Sequence, residues 1–279
     1  MTHPSGEQWE IRRGAQLAVV VEVGGGLRAY EAGGVPILDG YGVEEMCTGG
    51  RGQNLIPWPN RLAGGRYQFG GRSLQLPITE VSSQSAIHGL VRWANWTLST
   101  VAADRVRVAY VLHPQPGYPF TLGLEVEYRL DGSGLEVTVV AANLGRDPLP
   151  YAAGHHPYLT VGESTIDTAR LRIAATSPRT IGAEHLDTAF TDLDRDDLGR
   201  AWVEMRAGHS DRAVRLWMDR SYTHVLLFSG DTLQDIARRR RGLAVEPMTC
   251  GLGALATGEG VITLAPGATH ESSWGIVPG

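Results

Sequence analysis

The sequence predicts an all-β fold, one large antiparallel β-sandwich, and three features of the chain favour it. Short runs in which apolar and polar residues alternate occur along most of its length. Gly and Pro, present 36 and 15 times, separate these runs. No strand–helix–strand rhythm is visible, which disfavours a parallel sheet covered by helices. We therefore expect a single sandwich domain over residues 1–279, with the polar residues carried on loops.

The clearest predicted strands lie in the middle of the chain. RVRVAYVL at 105–112 alternates in the required way, and FTLGLEVEYRL and LEVTVVAANL flank the turn sequence Asp-Gly-Ser-Gly at 131–134, which is typical of a hairpin. Further short runs occupy 169–176, 202–208, 213–219, 223–230, 243–249 and 260–267. Helical candidates are limited to TLQDIARR at 232–239 and GVEEM at 42–46. Helices are therefore expected to contribute little to the fold.

Composition excludes several classes of protein. The formal net charge of -5 argues against a nucleic-acid binder, which usually needs a basic face. No run approaches the ~18 to 20 apolar residues that span a bilayer, and the first residues lack the apolar core of a signal peptide. Cys47 and Cys250 support neither a disulfide framework nor a cysteine zinc cluster. We expect a cytoplasmic monomer or homodimer without membrane or nucleic-acid partners.

The run Arg238–Arg241 is a local exception to the mild acidity. A solvated turn that leads into the strand GLAVEP is the favoured interpretation, and a specific anion site is the alternative.

Glu246 is the first candidate for chemistry, within LAVEPMTCG at 243–251. Pro247 removes a donor from the strand ladder, so the strand is expected to end or to reach an edge there, which would leave Glu246 at the rim of a sheet rather than in mid-sheet. Desolvation at a half-buried rim raises the pKa of a carboxyl group, which suits a general base. The alternative is an ordinary loop residue.

Histidines supply the second group of candidates. His155 and His156 are adjacent and, on a strand, would point to opposite faces, so both are not expected to serve one site. A metal site is disfavoured because cysteine or carboxylate partners at a usual spacing are missing. His88, in SAIHGLVRW, is either a satisfied core histidine or a site residue. The glycines at 24–26 lack the spacing of a nucleotide-binding loop, and no G-x-S-x-G motif occurs.

Five motifs occur in one order between about residue 50 and about residue 250: PWPNRLAGGRYQFGGRSLQLP, AIHGLVRWANW, GHHPYL, LDTAF and LAVEPMTCG. Together they resemble the aldose 1-epimerase (galactose mutarotase) family, and their wording is similar to its bacterial branch. The resemblance implies a β-sandwich of the galactose mutarotase type, with a monosaccharide bound in a cleft on one sheet. It also implies that no cofactor and no metal are needed.

The resemblance assigns roles to individual residues. Glu246 would be the general base that takes the proton of the anomeric hydroxyl, and His156, rather than His155, would be the acid. His88 would hydrogen-bond the ring oxygen or a neighbouring hydroxyl, and Arg61 and Asp187 would hold sugar hydroxyls. We add two aromatic side chains as surfaces for the apolar C–H face of the sugar. These are Trp58 and Tyr158.

Acid/base ring opening agrees with this set of groups. A base and an acid, each worth about 10²- to 10⁴-fold, suffice to open a pyranose and to let it close as the other anomer. A free hexose such as glucose or galactose is the expected substrate. Arginines near the pocket, Arg92 or the run Arg238–Arg241, keep a hexose 6-phosphate as a second substrate hypothesis. Two competing functions are a sugar-binding domain without turnover and a glycoside hydrolase that uses Glu246 and Asp187.

Overall fold

The computed structural model describes residues 2–174 and 179–279. Within these residues the strands pair antiparallel throughout, which confirms the predicted all-β fold. The last two residues of the strand predicted at 169–176 lie outside the described residues. The described part of the chain contains no helix long and apolar enough to cross a membrane.

Strands follow one another closely along the chain. The first thirteen are β1 (Gln8–Arg13), β2 (Gln16–Val21), β3 (Leu27–Ala32), β4 (Val35–Pro36), β5 (Asn54–Leu55), β6 (Arg61–Ala63), β7 (Arg66–Phe69), β8 (Arg72–Gln75), β9 (Ser85–Ile87), β10 (Thr97–Ala102), β11 (Arg105–Leu112), β12 (Leu122–Leu130) and β13 (Leu135–Asn143). The others are β14 (Leu149–Tyr151), β15 (Gly154–His155), β16 (Tyr158–Leu159), β17 (Arg170–Ile173), β18 (Arg179–Thr180), β19 (Asp187–Phe190), β20 (Ala201–Arg206), β21 (Ala213–Met218), β22 (His224–Phe228), β23 (Leu243–Met248), β24 (Ile262–Leu264) and β25 (Thr269–Pro278).

Two large sheets organise the molecule. Nine strands form the first, in the order β10-β11-β12-β13-β25-β21-β20-β17-β18. Six form the second, in the order β19-β22-β23-β15-β5, with β16 also paired to β23. The N-terminal strands β1 to β4 make a four-stranded sheet, and three further pairs are β14-β24, β6-β9 and β7-β8. In the β12–β13 hairpin, Asp131 accepts backbone N–H donors from Ser133 and Gly134, as its turn sequence predicts.

The two faces of the six-stranded sheet have different surroundings. Val225, Leu227 and Val245 belong to the hydrophobic core that this sheet shares with the nine-stranded sheet. Residues in between, among them Leu226 and Glu246, point to the opposite face, because successive side chains of a strand alternate. That second face carries the cavity described below.

Helical structure is minimal among the described residues. One α-helix, α1 (Ala254–Thr257), is accompanied by two 3₁₀ turns at Val81–Ser83 and Ile236–Arg238. The helix considered for 232–239 was wrong, since only the 3₁₀ turn forms there, begun by the Asp235 side chain accepting from the Ala237 N–H. The segment 42–46 is a turn.

The strand that carries Glu246 does not end at Pro247, so that alternative was wrong, whereas the alternative of an edge holds locally on one side of the strand. Strand β23 continues to Met248, and Pro247 pairs with Val225 in the interior of the sheet. The N–H groups of Val245 and Thr249 both donate toward the segment 153–157, so the nitrogen of Pro247 faces the same side. There the ladder is interrupted between β15 and β16, and no donor is needed.

Candidate active site

A cavity of about 810 Å³ lies on the outer face of the six-stranded sheet. The sheet contributes residues that share one face by register, because Leu226 pairs with Glu246 and Asp187 pairs with Phe228. Loops around residues 47–51, 79–82, 87–93 and 232–238 complete the walls. The size falls in the range of about 300 to 1,000 Å³ that is usual for small-molecule sites.

His156 reaches this cavity because the strand that carries it is broken. Gly154 pairs with Met248 and Tyr158 pairs with Ala244, so the residues between them lie beside Glu246 without continuing the ladder. The backbone of His156 is held instead by the neighbouring segment: its N–H donates to the Gln53 carbonyl, and its carbonyl accepts from the Gly52 N–H. The break therefore turns the imidazole toward the centre of β23.

His156 and Glu246 form a direct contact at the base of the cavity. Nε2 of the imidazole lies 3.3 Å from Oε1 of the carboxyl group, and the two residues are 4% and 2% exposed. The other polar atom of each group, Nδ1 and Oε2, is buried without a hydrogen-bond partner among the described residues. Unpaired buried polar atoms are costly, and they are where a polar ligand gains most.

Burial moves the two groups in opposite directions. Desolvation raises the pKa of Glu246 well above its ordinary value, and the nearby charge of Asp187 adds to the shift while Arg61 opposes it. Desolvation lowers the pKa of His156 to about 3, with contributions from the positive charges of Arg51 and Arg92. When the pair holds a single proton, the carboxyl group is therefore its preferred site.

The adjacent histidine has a different position. His155 lies on the core side, where its Nδ1 contacts Asn54 Oδ1 and its Nε2 contacts the Tyr222 hydroxyl, each at 2.9 Å. Burial lowers the pKa of His155 to about 3, and its ring packs against Trp274. Both ring nitrogens are thus occupied, so His155 is a satisfied core residue.

His88 lies at the cavity wall with its ring 5.5 Å from that of His156 and nearly perpendicular to it. The backbone N–H of Asn60 donates to Nδ1 of His88. Burial, with the neighbouring His156, holds the pKa of His88 well below its usual value. A neutral ring that accepts at Nδ1 carries its proton on Nε2, which leaves His88 with one donor for a ligand.

Arg61 and Asp187 also line the cavity, from β6 and the start of β19. Glu80 holds the guanidinium of Arg61 through both carboxylate oxygens, with Nη2–Oε1 at 2.9 Å. This fork fixes the direction of Arg61, and it lowers the pKa of Glu80. Glu80 was not anticipated from the sequence.

The two aromatic surfaces expected for the sugar do not face the cavity. Trp58 is 3% exposed and belongs to the hydrophobic core. Tyr158 is 2% exposed and lies behind His156, with the two rings stacked at 5.0 Å. Trp93, which sequence reasoning missed, is the tryptophan that lines the cavity, and it is 53% exposed. Its position five residues after His88 in a site motif was the available signal.

The glycine-rich segment at 49–52 was missed as well. Gly50 has a φ of 78°, and a Cβ at this position would lie 2.6 Å from Cδ2 of His156. Gly49 has a φ of 61°, and a Cβ there would meet Leu233 at 2.6 Å. The backbone therefore packs directly on the imidazole, which only glycine allows.

The arginine run is solvated only in part, because Arg239 and Arg241 are exposed, whereas Arg238 and Arg240 are held by other residues. Arg240 bonds to Asp231 and Asp167 and to two carbonyl oxygens, while Arg238 bonds to the Gly40 carbonyl and to Glu45. Their side chains are only 15% and 16% exposed. These contacts anchor the loop 232–238, one wall of the cavity, to the rest of the molecule.

The described residues contain no group of three His, Cys, Asp or Glu side chains arranged to hold a metal ion. What the cavity brings together is one acid/base pair, a neutral histidine donor, a fixed guanidinium and a carboxylate. Such a set can exchange protons with a polyhydroxyl ligand and orient it.

Comparisons with known proteins point to one family and one fold. A model of the family described as Aldose 1-epimerase matches residues 7–276. Uncharacterized protein YihR of Escherichia coli strain K12 is 34% identical, over 98% of this chain and 94% of its own. The GalM/aldose epimerase homologue from C. elegans aligns with a TM-score of 0.84 at 15% identity over 98% of both chains. Galactose 1-epimerase from Lactobacillus acidophilus NCFM aligns with a TM-score of 0.76 at 17% identity, over 97% of this chain and 93% of its own.

We predict that Glu246→Gln stabilises the protein at pH 7. The folded protein retains a proton on Glu246 at pH values where the unfolded chain has lost it, so the native carboxyl group costs stability as pH rises above the ordinary value of 4.5. Each unit of raised pKa costs about 1.4 kcal/mol. Urea denaturation should show the gain at pH 7 and its disappearance near pH 4.

Glu80→Gln is the matched control, because Arg61 lowers the pKa of Glu80, so the substitution should change the free energy of unfolding in the opposite direction. This substitution should destabilise the protein at pH 7, by an amount that shrinks as pH falls through the lowered pKa of Glu80. Equal effects of both substitutions at both pH values would contradict the assignment of Glu246 as a costly buried carboxyl group.

Proposed function

This chain belongs to the aldose 1-epimerase family, and we propose that it is itself an aldose 1-epimerase that interconverts the α and β anomers of a free hexose such as glucose or galactose. The observation that carries the proposal is the contact between His156 and Glu246. Mutarotation needs one proton removed from the C1 hydroxyl and one delivered to the ring oxygen. These two oxygens are bonded to the same carbon, so the acid and the base must be close neighbours, as they are here.

The proton inventory of the pair suits this reaction. Between the lowered pKa of His156 and the raised pKa of Glu246 the pair holds one proton, and in that state it offers one donor and one acceptor. Transfer of the proton from Glu246 to His156 across their 3.3 Å contact produces the carboxylate base and the imidazolium acid. Glu246 then takes the proton of the C1 hydroxyl while His156 protonates the ring oxygen, the ring opens, and rotation about C1–C2 followed by the reverse transfers gives the other anomer.

Other cavity residues would orient the sugar. His88 donates from Nε2 to an oxygen near C1, Arg61 donates to hydroxyls, and Asp187 accepts from them. Trp93 takes the role predicted for Trp58 and Tyr158, since its exposed indole ring offers an apolar surface to the C–H face of the sugar. Orientation of this kind lowers the barrier without further chemistry.

A hexose 6-phosphate is the second candidate substrate, and Arg92 is the observation that favours it. Arg92 lines the cavity with no carboxylate within ion-pair distance among the described residues, whereas Arg51, Arg61 and Arg238 are each paired. Burial lowers the pKa of Arg92, as expected for a cation without a close counter-charge. An anionic substituent would supply that charge.

We predict that Glu246→Gln and His156→Gln each lower the exchange rate by about 10²-fold or more, the usual contribution of one acid or base. Two-dimensional exchange NMR on glucose and galactose, each free and 6-phosphorylated, measures the rate and identifies the preferred sugar. His155→Gln is the control for a buried histidine outside the cavity. It should lower stability while the soluble fraction retains its turnover.

No acceleration on any of these sugars by the unaltered protein would contradict the proposal. Sugar binding by calorimetry without exchange would identify a binding domain instead, and release of reducing sugar from an aryl glycoside would identify a hydrolase.

We predict a pH profile set by the pair rather than by an ordinary histidine. The active form carries one proton, so kcat/KM should show no acid limb near 6.5 and should fall on the acid side only as pH approaches the lowered pKa of His156, about 3. On the alkaline side it should fall as Glu246 loses its proton at its raised pKa. Initial-rate polarimetry with the buffer rate subtracted measures this profile. An acid limb near 6.5 would contradict it.

A further inference from the structure

Three side chains stack in a row behind the acid/base pair. The guanidinium of Arg51 lies 4.4 Å from the centre of the Tyr158 ring, and the Tyr158 ring lies 5.0 Å from the His156 ring at an angle of 14°. The Tyr158 hydroxyl donates to the Gly49 carbonyl, which fixes the tyrosine in its own plane. The imidazole is thus supported on one face by a second planar group that a cation holds in place.

Arg51 is itself fixed by charge. It is 2% exposed, and its Nε and Nη2 donate to Oδ2 of Asp39 at 3.2 and 3.0 Å, while Nη1 donates to the Thr48 carbonyl. Asp39 is also buried, and its backbone N–H donates to the Tyr158 carbonyl. The ion pair therefore contacts Tyr158 at two points: Arg51 packs on its ring, and Asp39 donates a hydrogen bond to its backbone carbonyl.

We propose that Arg51, held by Asp39, is a positioning residue for His156: through Tyr158 it keeps the imidazole in the orientation that presents Nε2 to Glu246. A buried ion pair is a weak means of stabilising a fold, because apolar side chains of similar volume often do as well. The ion pair does supply a fixed orientation and a fixed electrostatic field at the imidazole, which apolar side chains would not. The kinetic part of this inference rests on the proposed function, whereas its spectroscopic part does not.

Electrostatics supports the same role. The charged and titratable groups that face His156 are Glu246 on β23, His88 after β9, Tyr158 on β16, Arg51 in the segment before β5, and Arg92. After burial itself, the charge of Arg51 is the largest influence that lowers the pKa of His156. Arg51 therefore disfavours the imidazolium in the resting protein and leaves the proton on Glu246.

The test removes both charges of the pair, Arg51→Met together with Asp39→Asn, so that neither partner is left buried with an unpaired charge. Asp39 also lies 3.6 Å from Arg238 and from Arg241, but Arg238 keeps its contact with Glu45 and Arg241 is 52% exposed. ¹⁵N NMR of the histidine rings, with His156 assigned by its loss in His156→Gln, should show the pKa of His156 rising from about 3 toward the ordinary 6.5. We expect the acid limb of kcat/KM to rise with it, and kcat to fall by about 10- to 100-fold, while KM changes little.

Two comparisons separate positioning from general stability. Arg240→Met together with Asp231→Asn removes a comparable pair that anchors a cavity wall without contacting His156. It should lower the melting temperature and leave the titration of His156 unchanged. Tyr158→Phe, which keeps the stacked ring, should retain most of kcat, whereas Tyr158→Leu should lose it.

The proposal is overturned if the Arg51/Asp39 and Arg240/Asp231 double variants lower the melting temperature alike and neither moves the His156 titration. It is equally overturned if Tyr158→Leu and Tyr158→Phe have the same kcat. A shifted titration in a protein that does not exchange anomers would contradict the proposed function alone.

Discussion

The break between β15 and β16 is the constraint on which the site depends. In a continuous strand beside β23, the residue opposite Glu246 would be fixed in place by its own backbone hydrogen bonds to β23. With the ladder open there, His156 takes the position beside the carboxyl group, and Pro247 is tolerated next to it because its missing N–H faces the same opening. One local irregularity thus accommodates both halves of the acid/base pair. The segment before β5 holds it open, since the backbone of His156 is hydrogen-bonded to Gln53 and Gly52.

That arrangement works against stability. A carboxyl group and three histidines, His88, His155 and His156, are buried with their pKa values displaced from those of the unfolded chain. The core provides the compensation, because the face of β22 and β23 opposite the cavity packs into the cluster shared with the nine-stranded sheet. The rigid side of the six-stranded sheet therefore supports its reactive side.

Sequence reasoning reached the fold because local patterns determine most of it. Strand β11 was predicted at its observed limits, and the hairpin of β12 and β13 was predicted from its turn residues, since alternation and turn chemistry are local properties. The position of Glu246 in the sheet is not determined by its local sequence. It depends on which neighbour lies beside Pro247, and that neighbour is some ninety residues earlier in the chain. The short helix considered at 232–239 failed for a related reason, because arginine contacts to distant residues hold that segment as a wall.

The site was predictable where a motif carried it and not where packing did. The motifs named Glu246, His156, His88, Arg61 and Asp187, and all five line one cavity. To choose which aromatic side chain lines a cavity, one must know where each side chain points, and the sequence of a loop does not tell this. Trp58 and Tyr158 were therefore predicted at the cavity wall, where the structure places Trp93. Arg51 and Glu80 act on their neighbours and have no motif of their own. Residues of that kind are identified only from interatomic distances in the structure.

In the proposed function, catalysis and recognition would be carried by different parts of the structure. Glu246 and His156 are fixed by strands and by backbone hydrogen bonds, whereas Glu80, Arg92 and Trp93 lie on loops over the same cavity. Loops tolerate substitution without disturbing the sheet beneath them. Under that proposal the proton pair would stay constant while changes in the loops alter which sugar binds above it. Arg92, which has no ion-pair partner among the described residues, is where such a change would first alter the charge of the preferred substrate.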